Sequence, residues 1–370
     1  MKNTRRNFLQ KIAMATAAIP ISDQLAEAKP ILNQIKYEGK KLRVALVGLG
    51  SYATNQLLPG LQKSQMCELA GIVTGTPSKK ESWMAKHNIP EKNCYNYENF
   101  DEIKNNPDID AVYIVLPNSM HAPYTIRAAK AGKHVICEKP MSMNVKEAKE
   151  MIAACKANNV SLSIGYRLHY EPFTQEVMRL AKDKDFGKVK FVDGKFAWRN
   201  RDLKAWRMNF PLSGGGAFMD VGIYCINASR YATGEDPISV TAQAIKTEPE
   251  IYRDIEETYQ WQLTFPSGAV ANGSSSYAYN AHKLAIHYER GNLEMEPAYD
   301  YGPIKGKTNK GPMEFPHTHH QALMLDGIAN TIINKVPQRI SGAEGLKDQI
   351  IMEAIVKAVK TGKKIAIKYS

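Results

Sequence analysis

Beyond its N-terminus this 370-residue chain has no apolar run near the ~18 residues that a membrane-spanning helix needs, which argues against an integral membrane protein. Cysteine is scarce: Cys67, Cys94, Cys137, Cys155 and Cys225 are odd in number and lack CxxC or finger spacing. That excludes a disulfide framework and a zinc finger, and leaves small buried apolar groups as the ordinary reading. Low-complexity and collagen-like repeats are absent too. With 44% hydrophobic and 23% charged residues the chain is not a disordered one. The net charge is +12, yet the basic residues are scattered and no nucleic-acid motif accompanies them, so the excess reads as a solvated basic surface. At roughly 150 residues per domain the length allows two or three domains.

The first 28 residues stand apart from the fold. Thr4-Arg5-Arg6-Asn7-Phe8-Leu9-Gln10-Lys11 resembles a twin-arginine export signal. A weakly apolar stretch, Ile12 to Ile21, follows, and then the small residues of Ala26-Glu27-Ala28. The expectation is export by the twin-arginine machinery to the periplasm, with a mature chain starting near Lys29; without a working leader the chain stays cytoplasmic. Four basic and two acidic residues lie in 1–28, so the trimmed chain carries +10. Residues 29–40 show no periodicity and read as an arm, either a loose tail or a segment lying on a neighbouring subunit.

From residue 41 strand and helix patterns alternate, and 41–162 reads as a doubly wound parallel sheet of the Rossmann type. Lys41 to Val47 is a short buried strand running into Gly48-Leu49-Gly50-Ser51-Tyr52-Ala53, the G-x-G-x-x-A form of the dinucleotide fingerprint. Gly48 permits the tight turn, Gly50 lets backbone approach a pyrophosphate, and Ala53 allows close helix–strand packing. Helix amides after the turn, at Ser51 and Tyr52, point at the phosphates. The second strand, about Glu68 to Thr74, ends in Thr74-Gly75-Thr76-Pro77-Ser78-Lys79 with no carboxylate at its tip. A carboxylate there would repel a 2′-phosphate, whereas Thr74, Gly75 and Lys79 suit one, which favours NADP over NAD. Two further strands, Ile109 to Leu116 and Lys133 to Cys137, end in Pro117-Asn118-Ser119-Met120-His121 and Glu138-Lys139-Pro140. Both loops are expected to border the nicotinamide, with Pro117, Asn118, His121, Glu138 and Lys139 contacting the cofactor.

Glu138-Lys139-Pro140, about ninety residues after a glycine fingerprint, resembles the Gfo/Idh/MocA oxidoreductase family. The match continues through Gly165-Tyr166-Arg167-Leu168-His169-Tyr170, Trp206-Arg207, Gly214-Gly215-Gly216, Met219-Asp220-Val221-Gly222-Ile223-Tyr224 and Arg230-Tyr231. Within that family the leader and the acid-free second strand resemble the glucose–fructose oxidoreductase group. The resemblance implies that 163–370 is an α/β substrate and oligomerisation domain with a large, mainly antiparallel open sheet. It also implies a homo-oligomer, dimer or tetramer, joined through that sheet. Strand-like composition at Lys188–Ala197, Val240–Ile245, Tyr259–Phe265, Ala269–Tyr277 and Lys283–Tyr288 agrees. A last helix is expected near His319 to Asn334.

Oxidising a sugar hydroxyl requires a base for the O–H proton while hydride leaves carbon for a nicotinamide. Asp220 and Tyr224 lie four apart in a segment, Gly216 to Thr233, that reads as a helix opened by glycines, so they share a face. Many family members carry histidine where this chain has Tyr224. A phenol at its ordinary pKa of about 10 is a weak base near neutrality and needs a neighbouring cation. Lys139 is the expected cation and binds the reacting oxygen; Asp220 orients the sugar or Lys139. Tyr166, His169, Tyr170 and Arg207 are expected to bind sugar hydroxyls beside Lys139, Asp220 and Tyr224, and Arg167 to contact the cofactor. His317-Thr318-His319-His320 precedes a helix without a partner motif and is not read as a metal site. The expectation is an exported NADP-dependent oxidoreductase turning an aldose into a lactone, with a tightly bound cofactor re-oxidised by a second sugar. Its rivals are a dehydrogenase or reductase of another polyol or cyclitol using free NAD(P), and a non-catalytic sugar- or nucleotide-binding protein.

Overall fold

The computed structural model describes residues 37–369; the expected leader, 1–28, and residues 29–36 of the expected arm lie outside the described residues. Two sheets organise the chain from Glu38 onward. The first contains β1 (Leu42–Val47), β2 (Cys67–Val73), β3 (Cys94–Tyr95), β4 (Ala111–Ile114), β5 (His134–Cys137) and β6 (Leu162–Ile164). All pair in parallel, in the order β3-β2-β1-β4-β5-β6. Val44 to Val47 and the whole of β4 are fully buried, as continuous apolar runs must be in a sheet covered on both faces. Strand order reverses between β1 and β4, so a crevice opens at their carboxyl ends. The boundary expected at residue 162 falls inside β6.

The second sheet is larger and mixed. It comprises β7 (Val189–Ala197), β8 (Ser239–Ile245), β9 (Thr258–Thr264), β10 (Val270–Ser276), β11 (Ala281–Tyr288), β12 (Asn292–Met295), β13 (Gly306–Thr308), β14 (Gly311–Met313) and β15 (Ile365–Ala366). Their order is β14-β13-β12-β11-β7-β10-β9-β8-β15, antiparallel except for the parallel pair β7 and β10. Strand β9 shows why it sits on a surface: Tyr259, Trp261 and Leu263 are buried while Gln260 and Gln262 between them are exposed. That period of two buries one face against the turn Phe218–Gly222, where Phe218 packs on Tyr259 and Trp261, and leaves the other open.

Two expectations are corrected here. The helix near His319 to Asn334 is present as His320–Asn334, but it is not the last. A twenty-residue helix, Gly342–Thr361, follows, its first turn capped by Ser341 Oγ accepting from the Glu344 amide. It packs against Val145–Ala157 in the first half, and Ile340 O accepts from Ile164 N at 2.8 Å just before it. The segment expected as one helix from Gly216 instead begins with a wide π-type turn, Phe218–Gly222, before α-helix Ile223–Thr233. The far end of that helix is pinned: Arg230 bonds Asp348 at 2.8 Å, Glu344 at 2.8 Å and Asp236 at 2.7 Å. All five cysteines are buried and unpaired. Among the described residues no helix is long and apolar enough to cross a membrane.

Candidate active site

The glycine turn follows directly from β1. Gly48 holds φ +95°, and a Cβ there would sit 2.6 Å from the Val115 carbonyl oxygen, so both conformation and close approach require glycine. At Gly50 a Cβ would meet nothing within 4 Å, so the loop faces open space on the side where a phosphate must approach. The helix begins at Ser51 and Tyr52, and its first internal bond runs from Thr54 N to Gly50 O at 3.0 Å. The amides before that bond are orphan donors, the group that binds phosphate. Ala53 is fully buried against the sheet. At the tip of β2, Thr74 is buried, a Cβ on Gly75 would touch the Tyr97 ring at 3.0 Å, and Lys79 Nζ donates to Leu49 O at 3.0 Å. Lys79 thereby brings an ammonium to the glycine turn, while Lys80 is engaged by Glu91 at 3.1 Å.

The loops after β4 and β5 divide the expected cofactor residues. Pro117 is half-buried at the loop start, and Asn118 Nδ2 donates to Ser213 O at 2.7 Å, tying this loop to the second half. His121 is corrected: it does not face the cleft. It is 1% exposed, with Nδ1 at 2.8 Å from Pro140 O and Nε2 at 2.9 Å from Leu116 O. Burial pushes it down to about 4, against the two carbonyl contacts that favour its protonated form, and the ring braces the two loops. Glu138 also points inward, accepting from Tyr113 OH at 2.6 Å. Burial pushes its carboxyl up from the ordinary value, against the pull of Lys139 and Tyr113. Gly165 makes room for it, since a Cβ there would lie 2.7 Å from Glu138 Oε1.

Lys139 turns the other way. Its Nζ donates to Asp220 O at 2.7 Å and lies 3.5 Å from Asp220 Oδ1. Asp220 stands in the π-type turn, reached through Gly214, Gly215 and Gly216, all at positive φ. A Cβ at Gly216 would sit 2.4 Å from Ile255 Cδ1, so the chain passes there only as glycine. Asp220 Oδ2 accepts from Arg207 Nε at 3.1 Å and from Tyr277 OH at 2.9 Å. Burial opposes its charge, but Arg207, Lys139 and Tyr277 outweigh it and hold the carboxyl below its ordinary value. One turn on, the Tyr224 ring lies 4.8 Å from Lys139 Nζ and 5.2 Å from Arg167 Cζ, with Phe196 at 5.3 Å.

The structure thus brings together Lys139, Asp220, Tyr224 and Arg207, and adds residues that sequence reasoning missed. Tyr277 directly follows β10, and Tyr299 and Tyr301 come from the loop after β12; no local motif marks them. Tyr166 and His169 line a small enclosed pocket that continues from Lys139 and Tyr224, and burial pushes His169 down to about 4. Tyr170 is corrected: its ring packs on Gly327, where a Cβ would meet it at 2.2 Å, and under Arg339, away from this pocket. Among the described residues no group of three or more His, Cys, Asp or Glu side chains is placed to hold a metal.

Comparison with known proteins agrees with this geometry. Residues 42–166 match a family model described as an oxidoreductase family with an NAD-binding Rossmann fold, and 174–294 match the GFO/IDH/MocA C-terminal domain. The crystal structure of an aldose–aldose oxidoreductase from Caulobacter crescentus, complexed with glycerol, is 39% identical with a TM-score of 0.86, covering 89% of this chain and 100% of that one. A D-xylose 1-dehydrogenase [NADP(+)] from Haloarcula marismortui is 31% identical over 264 residues, 70% of this chain and 73% of the relative. A levoglucosan dehydrogenase solved with NADH and levoglucosan is 20% identical with a TM-score of 0.76, covers 89% of this chain and 100% of that one, and shares the fold. With a glycine turn built for a dinucleotide, a lysine and a carboxylate meeting at its rim, and both halves matched in order, the chain belongs to the Gfo/Idh/MocA oxidoreductase family and is a nicotinamide-dinucleotide-dependent oxidoreductase.

Proposed function

We propose that this protein is an NADP-dependent sugar oxidoreductase that converts an aldose to a lactone at the anomeric carbon and keeps its cofactor between turnovers. The observation that carries this reading is the convergence of Lys139, Asp220 and Tyr224 at the mouth of the cleft, with the Lys139 ammonium 4.8 Å from the Tyr224 ring and 2.7 Å from Asp220 O. The likeness to an aldose–aldose oxidoreductase and to a D-xylose dehydrogenase supports aldoses as the substrate class.

Each residue then has a task. Tyr224 takes the hydroxyl proton onto its phenolic oxygen. Lys139 donates a hydrogen bond to the sugar oxygen as it becomes a carbonyl, and its positive charge favours the anionic form of Tyr224. Asp220 fixes Lys139 and is itself fixed by Arg207 and Tyr277. A bound dinucleotide supplies the hydride acceptor for one sugar and the hydride donor for a second. Retention of the cofactor suits the export reading, because a secreted enzyme meets no free NADP pool.

The test is the protein as purified. Its nucleotide content, and the absorbance of reduced nicotinamide on adding members of an aldose panel, are measured without supplied cofactor. The expected result is bound NADP that is reduced by an aldose and re-oxidised by a second sugar. An empty protein that turns over only with added NAD(P) removes the retention reading and leaves a simple dehydrogenase. No activity on any sugar removes the enzyme reading. In the same preparation, recovery from the periplasm with an N-terminus near Lys29 is expected, and light scattering should give more than one chain per particle; an intact Met1 on cytosolic material sinks the export reading.

The preference for NADP rests on the second strand. Lys79 brings an ammonium to the glycine turn beside the strand tip of Thr74 and Gly75, and residues 74–80 hold no carboxylate. Lys79→Glu replaces a charge-assisted contact with repulsion, so NADP affinity should fall at least about tenfold more than NAD affinity. Equal losses for the two nucleotides, measured by titration, would remove the assignment.

A further inference from the structure

Arg167 is a buried cation of this site without a carboxylate on it. It is 1% exposed. Its Nη1 donates to Asp300 O at 2.9 Å and to His320 Nδ1 at 2.9 Å, its Nη2 donates to Tyr299 O, and its Nε has no partner. Phenol rings lie over the guanidinium: Tyr301 at 4.3 Å and Tyr224 at 5.2 Å. Among the described residues it forms no ion pair. Glu138 and Glu171 feel its field without touching it.

A desolvated guanidinium held only by neutral dipoles is an unbalanced charge, and its environment favours any anion that can form nearby. Burial works against the charge of Arg167, and Tyr224 is the group that does most to offset this. His320 adds orientation rather than charge. Burial, and then Arg167, push its imidazole down to about 3, so it is neutral with Nδ1 as the acceptor and the proton on Nε2.

We propose that Arg167 is a positioning residue for Tyr224: oriented by His320 and the Tyr299 and Asp300 carbonyls, it is the second cation that stabilises the anionic phenol oxygen. This rests on Tyr224 as the base. The sugar O–H bond breaks, its proton joins the Tyr224 oxygen, and the C–H electron pair leaves as hydride for the bound nicotinamide. Before that step the phenol oxygen must be anionic, and Lys139 alone is shared with Asp220. The groups facing Tyr224 are Lys139 from the loop after β5, Arg167, Tyr299 and Tyr301 from the loop after β12, and Tyr52 at the glycine turn. Asp220 precedes it on its own segment and is neutralised by Arg207 and Lys139; Glu138 lies buried behind Lys139. Lys139 and Arg167 are therefore the two cations in this set that bear on the phenol.

The experiment compares Arg167→Met, Arg167→Lys, His320→Leu and His320→Asn with the parent chain and with Tyr224→Phe. Two quantities are followed against pH: single-turnover reduction of the bound nucleotide by aldose, and the ultraviolet phenolate absorbance that Tyr224→Phe lacks. Arg167→Met should slow reduction at least about tenfold at neutral pH while half-saturation by sugar moves less than about threefold. The deficit should shrink as pH rises towards about 10, where any phenol ionises unaided, and the phenolate signal should appear later in the titration. Arg167→Lys, or guanidinium ion added to Arg167→Met, should restore part of the loss. His320→Leu should lose in the same direction, and His320→Asn, which keeps an acceptor, should recover part of it. A deficit that is the same at every pH, with no rescue and an unmoved phenolate signal, overturns the proposal and makes Arg167 structural. If Arg167→Met does not fold, the Arg167→Lys and His320→Leu titrations decide by the same criterion. Full activity in Tyr224→Phe would instead sink the base assignment, whereas an inactive Tyr224→Phe beside a pH-independent Arg167→Met sinks only the role given to Arg167.

Discussion

Lys139→Ala and Tyr224→Phe should each lower hydride transfer from sugar by at least about 10²-fold, the ordinary worth of a positioned acid–base group, while the protein stays folded. The two losses have different causes. Phenylalanine keeps the ring that packs on Phe196 at 5.3 Å and removes only the oxygen that receives the proton. Alanine at 139 removes the ammonium 2.7 Å from Asp220 O and leaves a buried carboxylate held by Arg207 and Tyr277 alone. Because the two residues act as one unit, the double variant should be little worse than either single one. Nucleotide content should persist in Tyr224→Phe, since the change leaves the backbone amides of the glycine turn as they are. Wild-type rates in either variant, measured by single-turnover reduction of the cofactor, would refute the mechanism. The site also has a definite pH behaviour. Asp220 is held below its ordinary value, so its ion pairs contribute stability above the unfolded carboxylate range and lose it as pH falls through the folded value. The carboxylate anchor of Lys139 therefore remains charged throughout the neutral range.

Much of this site is legible in the sequence because its parts are short-range. Gly48, Gly50 and Ala53 are fixed by the geometry of one turn, and Asp220 and Tyr224 by one turn of helix. Direction is what local motifs do not carry. His121 and Tyr170 sit in the expected segments, but both His121 nitrogens meet carbonyl oxygens in the interior and the half-buried Tyr170 fills the space between Gly327 and Arg339. Tyr277, Tyr301 and His320 reach the site through tertiary packing from 53 to 96 positions beyond Tyr224, and nothing near them in sequence marks the destination. The helix Gly342–Thr361 escaped for another reason. Asp348 and Gln349 are buried beside Ile351, Met352 and Ile355, so its inward face mixes polar and apolar residues and blurs the period of 3.6.

That buried Asp348 sets up the second large effect. Arg230→Met should destabilise the fold by roughly 3–5 kcal/mol, the cost of leaving a buried charge without its partner. The Arg230 side chain is 6% exposed and that of Asp348 0% exposed. Burial works against the guanidinium charge, and Asp348, Glu344 and Asp236 more than restore it. Without Arg230 two of the three acids keep a cation, because Lys347 reaches Asp236 at 2.9 Å and Glu344 at 3.3 Å. Asp348 keeps no cation, only neutral donors, the Asn227 amide at 2.7 Å and the nearby Tyr166 hydroxyl. The penalty should therefore be traceable to Asp348, and Arg230→Met combined with Asp348→Leu should recover most of it. Urea midpoints of the three proteins measure this; a single variant as stable as the parent, or a double variant no better than the single, would sink the argument. The consequence reaches the chemistry, since Arg230 closes the far end of the helix that Tyr224 opens. Loosening that clamp should slow hydride transfer in the folded fraction without changing its pH dependence, which separates a displaced Tyr224 from one deprived of its cations.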